Sequence, residues 1–476
     1  MHRFTAIAAL TTVLMASAAQ GGNEESMLLR LDREQPHYAE LALSLWDKAE
    51  LGYLENESSA LLQDTLARAG FSIETGVAGL PTAFVASYGS GAPVIGLLAE
   101  FDALPGISQT AAPVREPATE KHSGHACGHH LFGAGSVAAA VAVRHWMEEN
   151  GVSGTLRLYG TPAEEGGSGK VYMVRAGLFE DVDSVLVWHP SDRNQSNPAT
   201  TLANKSAKFR FRGVSSHAAV APERGRSALD GVEAMNVMAN MLREHMPQEV
   251  RMHYVITSGG SAPNVVPDFA ESFYYLRHPE AATLEALWER LVATAEGAAL
   301  GTGTEVSYEV IHGNHSVLPN ETLARTMHER LSQVGGVQYS ARDLAFANTL
   351  AESLAQSEAD LAAAAARIEP FAPSRSMGST DVGDVSWVVP TSEMRAATWV
   401  PGTAPHTWQA IAAGGTDIGV KGMMVAAKTL ALTAADLFQQ PQLVRAARSE
   451  FEQRRGEDFS YRPLLGDREP PLDYRK

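Results

Sequence analysis

Apolar and polar positions follow two rhythms along the chain. Over residues 38–53 and 58–69 apolar side chains recur at helical spacing, and the second run stops at Gly70. Residues 83–88 and 93–101 read as strands. The latter, PVIGLLAEF, is nearly continuous in apolar residues, as strands buried on both faces are. Residues 130–147, rich in Ala, Val and Gly, predict a buried helix. Residues 155–160 and 184–188 predict further buried strands, with a helix over 170–176 between them. Strands alternating with helices predict an α/β unit.

The pattern changes near residue 205. KSAKFRFR alternates as a half-buried strand does, a helix follows over 227–245, and strands over 250–258 and 269–277 flank the turn-rich SGGSAPNVVPD. A helix over 283–300 and a strand over 304–312 complete a β-α-β-β-α-β order, the ferredoxin-like signature. After Pro319 come a helix over 321–334, a strand over 394–399 and a long helix over 419–438. The expected architecture is α/β and discontinuous. One domain would be built from residues 20–204 and 317–447, and a smaller unit, 205–316, would be inserted as a lid. Residues 448–476 are charged and contain proline, so they are expected to lie peripherally.

Residues 1–19 read MHRFTAIAALTTVLMASAA: one basic residue (Arg3), an apolar run, then Ala16, Ser17 and Ala18. This is the layout of a secretory signal. The run falls short of the ~20 apolar residues of a membrane span, and later apolar stretches such as 137–143 end quickly at charge (Arg144). The expectation is an exported protein, periplasmic or secreted, with no membrane attachment after cleavage. The net charge of −17 over 476 residues gives no attraction toward phosphate backbones and excludes nucleic acid as a main partner. Cys127 is the single cysteine, so no internal disulfide and no CxxC site exists. A lone cysteine in an exported chain needs another reason.

That reason is local. In KHSGHACGHH, His122, His125, His129 and His130 surround Cys127. Imidazole and thiolate are the donors divalent zinc-like ions favour, and the glycines let the backbone bring two donors together. Glu164 and Glu165, in TPAEEGG, leave a buried strand, where open α/β sheets place their sites. One can bind metal while its neighbour faces a substrate as general base; alone, the pair reads equally as a solvated acidic turn. His189 ends the strand DSVLVW, and His406 lies in the turn-rich PGTAPHTWQ. Asp102, in AEFDALP, either orients a metal ligand from behind or caps its strand. No G-x-S-x-G, H-E-x-x-H or Walker A motif is present. A Cys127 nucleophile paired with histidine is conceivable but leaves the Glu pair without a role.

Taken in order, AEFDALP, HACGHH, GTPAEEGGSGK, VWHP, GVSSHAA, GSAPNVVPD and PGTAPHTWQ resemble the zinc aminoacylase/carboxypeptidase metallopeptidase family. The likeness is greatest to its amidohydrolase branch, which holds aminobenzoyl-glutamate hydrolases and auxin-conjugate hydrolases. DVGDVSWVVP and GTDIGVKGM are similar to the former in particular. The resemblance spans roughly residues 38–438. It implies two divalent ions, zinc or else manganese or cobalt, held by Cys127, His129, Glu165, His189 and His406, with Glu164 as general base. It implies that His217 in the lid reaches the active site of the partner chain and polarises the scissile carbonyl. Asn264 and Arg277 would face the substrate, and the lid would make a homodimer. A heteromer with a related chain is the alternative assembly. Two departures stand out: Glu100-Phe101-Asp102 replaces the His-x-Asp of other branches, and His130 replaces the usual Asp or Asn.

The implied reaction is hydrolysis of an N-acyl, particularly aryl-acyl, amino acid. The ions would lower the pKa of a water toward ~7, and Glu164 would take its proton and return it to the leaving amine. The rival readings are a dipeptidase or carboxypeptidase of small peptides and a non-catalytic exported binding protein that keeps the fold.

Overall fold

The computed structural model describes the backbone of residues 4–475 and the side chains of residues 24–475. The segment read as an export signal therefore lies outside the residues whose side chains are described. In chain order the principal elements are α1 (Phe4–Lys48), α2 (Asn56–Arg68), β1 (Ser72–Thr75), β2 (Phe84–Ser90), β3 (Val94–Ala99), α3 (His129–Asn150), β4 (Gly154–Gly160), α4 (Gly169–Arg175), β5 (Ser184–Ser191) and β6 (Gln195–Ser196). There follow β7 (Ala203–Arg212), α5 (Ala228–Leu242), β8 (Arg251–Ser258), β9 (Phe269–His278), α6 (Ala281–Thr302), β10 (Glu305–Asn314), α7 (Glu321–Val334), β11 (Thr391–Ala397), α8 (Asp417–Gln439) and α9 (Pro441–Arg455).

A seven-stranded sheet, ordered β1-β2-β4-β3-β5-β11-β6, forms the centre of the larger unit. Its inner strands β4, β3, β5 and β11 are mutually parallel, while β2 and β6 attach antiparallel at the flanks. Parallel strands are covered on both faces. Here α3 and α8 pack against each other and against the sheet. The small residues of α3 let it lie close: a Cβ on Gly133 would meet the carbonyl oxygen of Glu100 at 2.9 Å.

Two elements differ from the sequence expectation. The first helix begins well before residue 38 and continues through Pro36. Met27, Leu31, Tyr38, Leu41, Ala42 and Leu45 are all buried on one face, and that packing outweighs the ~3 kcal/mol an internal proline typically costs. Contrary to the expectation that no later segment is apolar enough, α8 is long and apolar enough to cross a membrane. In the fold it is a core helix, almost wholly buried against α1, α3 and α7.

Residues 203–314 form their own four-stranded antiparallel sheet, ordered β8-β9-β7-β10. Helices α5 and α6 pack on β7 and β9, and the unit has a separate core around Phe209, Phe211, Met235, Tyr274, Trp288 and Leu291. Strand β8 is left as an edge.

The segment after α9, expected to lie peripherally, does not. It crosses the junction between the two units: Leu464 belongs to the core of the smaller unit and Leu465 to that of the larger. Tyr474 and Arg475 then reach the cleft between them. Tyrosine, leucine and proline residues scattered among the charges supply the buried surface, with Pro471 also buried.

Candidate metal centre

The carboxyl ends of β3, β4 and β5 deliver the candidate side chains to one place, as open parallel sheets do. Asp102 follows β3, Glu164 and Glu165 follow β4, and His189 sits near the end of β5. His129 is the first residue of α3, whose N-cap Gly128 has φ 77° and lies so near Pro190 that a Cβ would approach it to 2.7 Å. Glycine is therefore required between Cys127 and His129. His406 joins from the loop after β11, its backbone N–H donating to Ala126 O at 2.9 Å. Ala163 and His406 both hold left-handed backbone, φ 57° and 61°. Strain of this kind costs on the order of 1–3 kcal/mol per residue and gathers at functional sites.

Two groups of donors result, sharing His129. Cys127, His129 and Glu165 form one, and Glu100, His129 and His189 the other, with donor atoms inside each group within 4.8 Å of one another. His406 Nε2 lies 3.1 Å from Glu165 Oε1, and the His406 ring also lies beside Cys127. The structure thus brings together all five residues expected as ligands. Asp102 stands behind them: its Oδ1 is 3.0 Å from His129 Nδ1, and its Oδ2 accepts the Glu165 backbone N–H at 2.9 Å. That leaves His129 Nε2 for the site.

The residues fit a metal. His129 Nε2 and Glu165 Oε1 are buried, with Glu100 Oε2 and His406 Nε2 only 3.0 and 3.1 Å away but not aligned as hydrogen bonds. Buried polar atoms left unpaired are costly, and donors that converge without pairing are what an ion resolves. The electrostatics agree. Burial alone would raise the Cys127 thiol, but the His129 charge and the neighbouring His129 and His406 rings hold it below its ordinary value. The neighbouring Cys127 and the Glu165 carboxylate raise His406 to about 11. Burial pushes the Glu164 carboxyl well up, and the Glu100 and Glu165 charges add to it.

Sequence reasoning missed Glu100. Its Oε2 is 3.0 Å from His129 Nε2 and 3.1 Å from His189 Nε2, while Oε1 takes the fully buried Lys170 ammonium at 2.7 Å. Lys170 in turn meets Asp381 at 2.6 Å. Burial disfavours the Glu100 carboxylate, but Lys170 and the two histidines more than offset it and keep it ionised. A carboxylate closing an apolar strand, two residues before Asp102, was the available signal. Glu393, 3.4 Å from His189 Nδ1, was also missed; a lone acid in β11 marks it.

The other histidines of the cluster take structural roles. His125 Nε2 meets Leu45 O at 3.1 Å and His130 Nε2 meets Gly414 O at 3.0 Å. Burial holds both well below the ordinary histidine value, so they are neutral. His122 is exposed.

The smaller unit contributes Arg277. It lines a cleft of about 1240 Å³ together with Cys127, Glu164, Glu165, His189 and His406. Its Nε is buried without a hydrogen-bond partner, the guanidinium lies 5.5 Å from the Tyr275 ring centroid, and burial depresses its pKa. His217 and Asn264 are not brought to this cleft. They lie on the β7–α5 and β8–β9 connections of the smaller unit, and His217 Nδ1 there accepts the backbone N–H groups of Ala219 and Val220.

Thiolate, imidazole and carboxylate donors at strand ends, with a further buried carboxylate beside them, define a metal-dependent hydrolase. The chain belongs to peptidase family M20/M25/M40, whose model matches residues 96–407. It is 40% identical to a subunit of the p-aminobenzoyl-glutamate hydrolase of Escherichia coli, over 89% of this chain and 93% of that one. It is 30% identical to the Xaa-Arg dipeptidase of Mus musculus, over 89% and 90%. A dinuclear metal-binding peptidase of the M20 family from Bacillus subtilis shares the fold, with TM-score 0.56 and 18% identity over 87% of this chain and 99% of that one. The family resemblance drawn from the motifs therefore holds, and the chain is a metal-dependent amidohydrolase.

Proposed function

We propose that the chain hydrolyses the amide bond of N-acyl amino acids that carry an aryl-acyl group and a free carboxylate, conjugates of the aminobenzoyl-glutamate type. The observation that carries this reading is the unpaired Arg277 guanidinium facing the donor cluster and Glu164 across one cleft. A planar guanidinium matches a carboxylate in a bidentate way. The name of the Escherichia coli relative points to the same substrate class.

Cys127, His129, Glu165, His189 and His406 would hold two divalent ions, and their mixed soft and borderline donors fit zinc. Such ions supply Lewis acidity at the amide carbonyl and lower the pKa of a water to ~7. Glu164 takes the proton from the attacking water and returns it to the leaving amine, a role its raised pKa suits. Asp102 fixes the His129 tautomer, and Glu393 supports His189 in the same way. We read the smaller unit as a ferredoxin-like lid that also dimerises. Its edge strand β8 exposes Val255 and Ile256, and α5 exposes Val237 and Met241, the kind of apolar edge that another chain covers. In such a dimer His217 would reach the partner's site and donate to the oxyanion. A heteromer with a related chain is a variant of this assembly, since the Escherichia coli relative is named as one part of a larger hydrolase. Residues 1–19 would direct export.

A dipeptidase acting on a C-terminal arginine is the second reading, raised by the mouse relative. Asp192 and Glu309 of the cleft are taken up by Arg193, Arg210 and Arg468, while Asp473, which also lines it, has no ion pair among the described residues, so substrate preference is decided by assay. A panel of aryl-acyl glutamates and Xaa-Arg dipeptides, with and without chelator, separates the readings. Chelator-sensitive release of glutamate is the expected result, and turnover of the dipeptides alone would overturn it.

A further inference from the structure

The segment 461–475 lies outside the region matched by the family model, yet it is tied to both units and to the metal-binding turn. Tyr461 OH donates to Asp384 Oδ1 at 2.7 Å, and Leu464 and Leu465 enter the two cores in succession. The approach to β10 is close: a Cβ on Gly313 would meet Leu465 N at 2.8 Å. Arg175 of α4 donates to the carbonyls of Gly466 and Arg468, at 3.2 and 2.7 Å. Arg468 donates across the junction to Ile311 O at 2.9 Å and Glu309 Oε1 at 2.5 Å, both on β10. One side chain therefore joins the smaller unit to a segment anchored on the larger.

Beyond Pro471 the segment meets the turn that carries the Glu pair. Arg475 Nη2 donates to Glu165 O at 2.5 Å, and Tyr474 OH approaches the same oxygen at 3.5 Å. The Tyr474 ring packs edge-on against Tyr53, centroids 5.7 Å apart, and Tyr53 OH donates to Gly167 O at 2.6 Å. The opposite side of the turn is held by Glu55 Oε1 on Ala163 N–H and by Asp102 Oδ2 on Glu165 N–H, both 2.9 Å. The turn is thus gripped from two directions, with a strained Ala163 at its start. Strain of this kind persists only where the surrounding structure over-determines it.

We propose that the segment 464–475 is a working strap of the active site. Arg475 and Tyr474 are positioning residues for the Glu164–Glu165 turn, and Arg468 sets the opening of the cleft between the two units. The roles given to Glu164 and Glu165 rest on the function proposed above, but the strap can be tested without turnover. In the full chain, Arg475→Ala, Arg475→Lys, Tyr474→Phe and Arg468→Ala are each compared with the parent. The measurements are thermal unfolding, Zn²⁺ titration of the metal-stripped protein, and kcat and KM on an aryl-acyl glutamate.

Arg475→Ala is expected to weaken Zn²⁺ binding and lower kcat on the order of 10- to 100-fold, as misplacement of reacting groups by about 1 Å does. Arg475→Lys keeps one donor for the Glu165 carbonyl and should restore most of both. Arg468→Ala should raise KM more than it lowers kcat, because it loosens the cleft and leaves the turn in place. Tyr474→Phe, losing only the longer contact, should fall between the parent and Arg475→Ala. Unchanged Zn²⁺ affinity in folded Arg475→Ala would overturn the proposal. So would equal losses in Arg475→Ala and Arg475→Lys, which would indicate a merely structural part. If the parent binds Zn²⁺ yet hydrolyses no aryl-acyl glutamate, the substrate reading fails while the Zn²⁺ titrations still decide the strap.

Discussion

The two units treat their chemistry-bearing residues in opposite ways. In the larger unit most of the donors are buried or half-buried and over-determined, His406 alone of the five being exposed: His129 is held by Asp102, His189 by Glu393 and Glu100, and Glu165 through both its backbone N–H and its carbonyl. In the smaller unit His217 and Asn264 have local backbone contacts only, and Arg277 alone of the three faces the cleft. On the proposed reading the buried sheet supplies metal and base, and the smaller unit supplies recognition and the oxyanion donor. One chain would then complete the first task and leave the second to be finished by another chain.

The largest effect should come from the over-determined side. Glu164→Gln should keep its metal, by elemental analysis, and lose about 100- to 10,000-fold in kcat, the usual contribution of a general base. Full activity would remove Glu164 from that role. On the other side, His217→Ala should cost about 100- to 1,000-fold, the typical loss of an oxyanion donor, with unchanged metal content. A smaller loss would mean that the β7–α5 loop is not part of the site. Asp102→Asn should weaken metal affinity by about 10- to 100-fold, as lost orienting partners do; an unaltered Zn²⁺ titration would show that His129 needs no such support. Arg277→Ala should act mainly on KM, by about 10- to 100-fold, consistent with one charged hydrogen bond of ~1.5–3 kcal/mol. A kcat effect without a KM effect would contradict a carboxylate clamp. The smallest direct effect on the site should be that of Met241→Asp with Ile256→Asp. The active-site residues stay in place, but sedimentation should show a monomer, and activity should fall to the His217→Ala level.

How much of this was legible in the sequence depended on how local each signal was. The parallel strands were readable because a run such as VIGLLA is apolar on both faces, and the candidate ligands were readable because they cluster just beyond such runs. Glu100 was passed over because its meaning comes from Lys170 and Asp381, partners that only the fold brings near. Glu393 is similar, since β11 and β5 are neighbours in space and distant in sequence. The strap was misjudged as peripheral because its many charges mask the few residues that bury. His125 and His130 looked like ligands by type, and only the backbone carbonyls of Leu45 and Gly414 show them to be structural.

The central claim is that each cleft takes its metal and base from one chain and its oxyanion donor from another. Mixing inactive Glu164→Gln and His217→Ala proteins under conditions of chain exchange tests this most directly. Hybrid dimers contain one cleft with both residues intact, so activity should return toward about a quarter of the parent's, the value for random exchange of two-site dimers. Mixtures that exchange chains yet stay inactive would contradict the shared site.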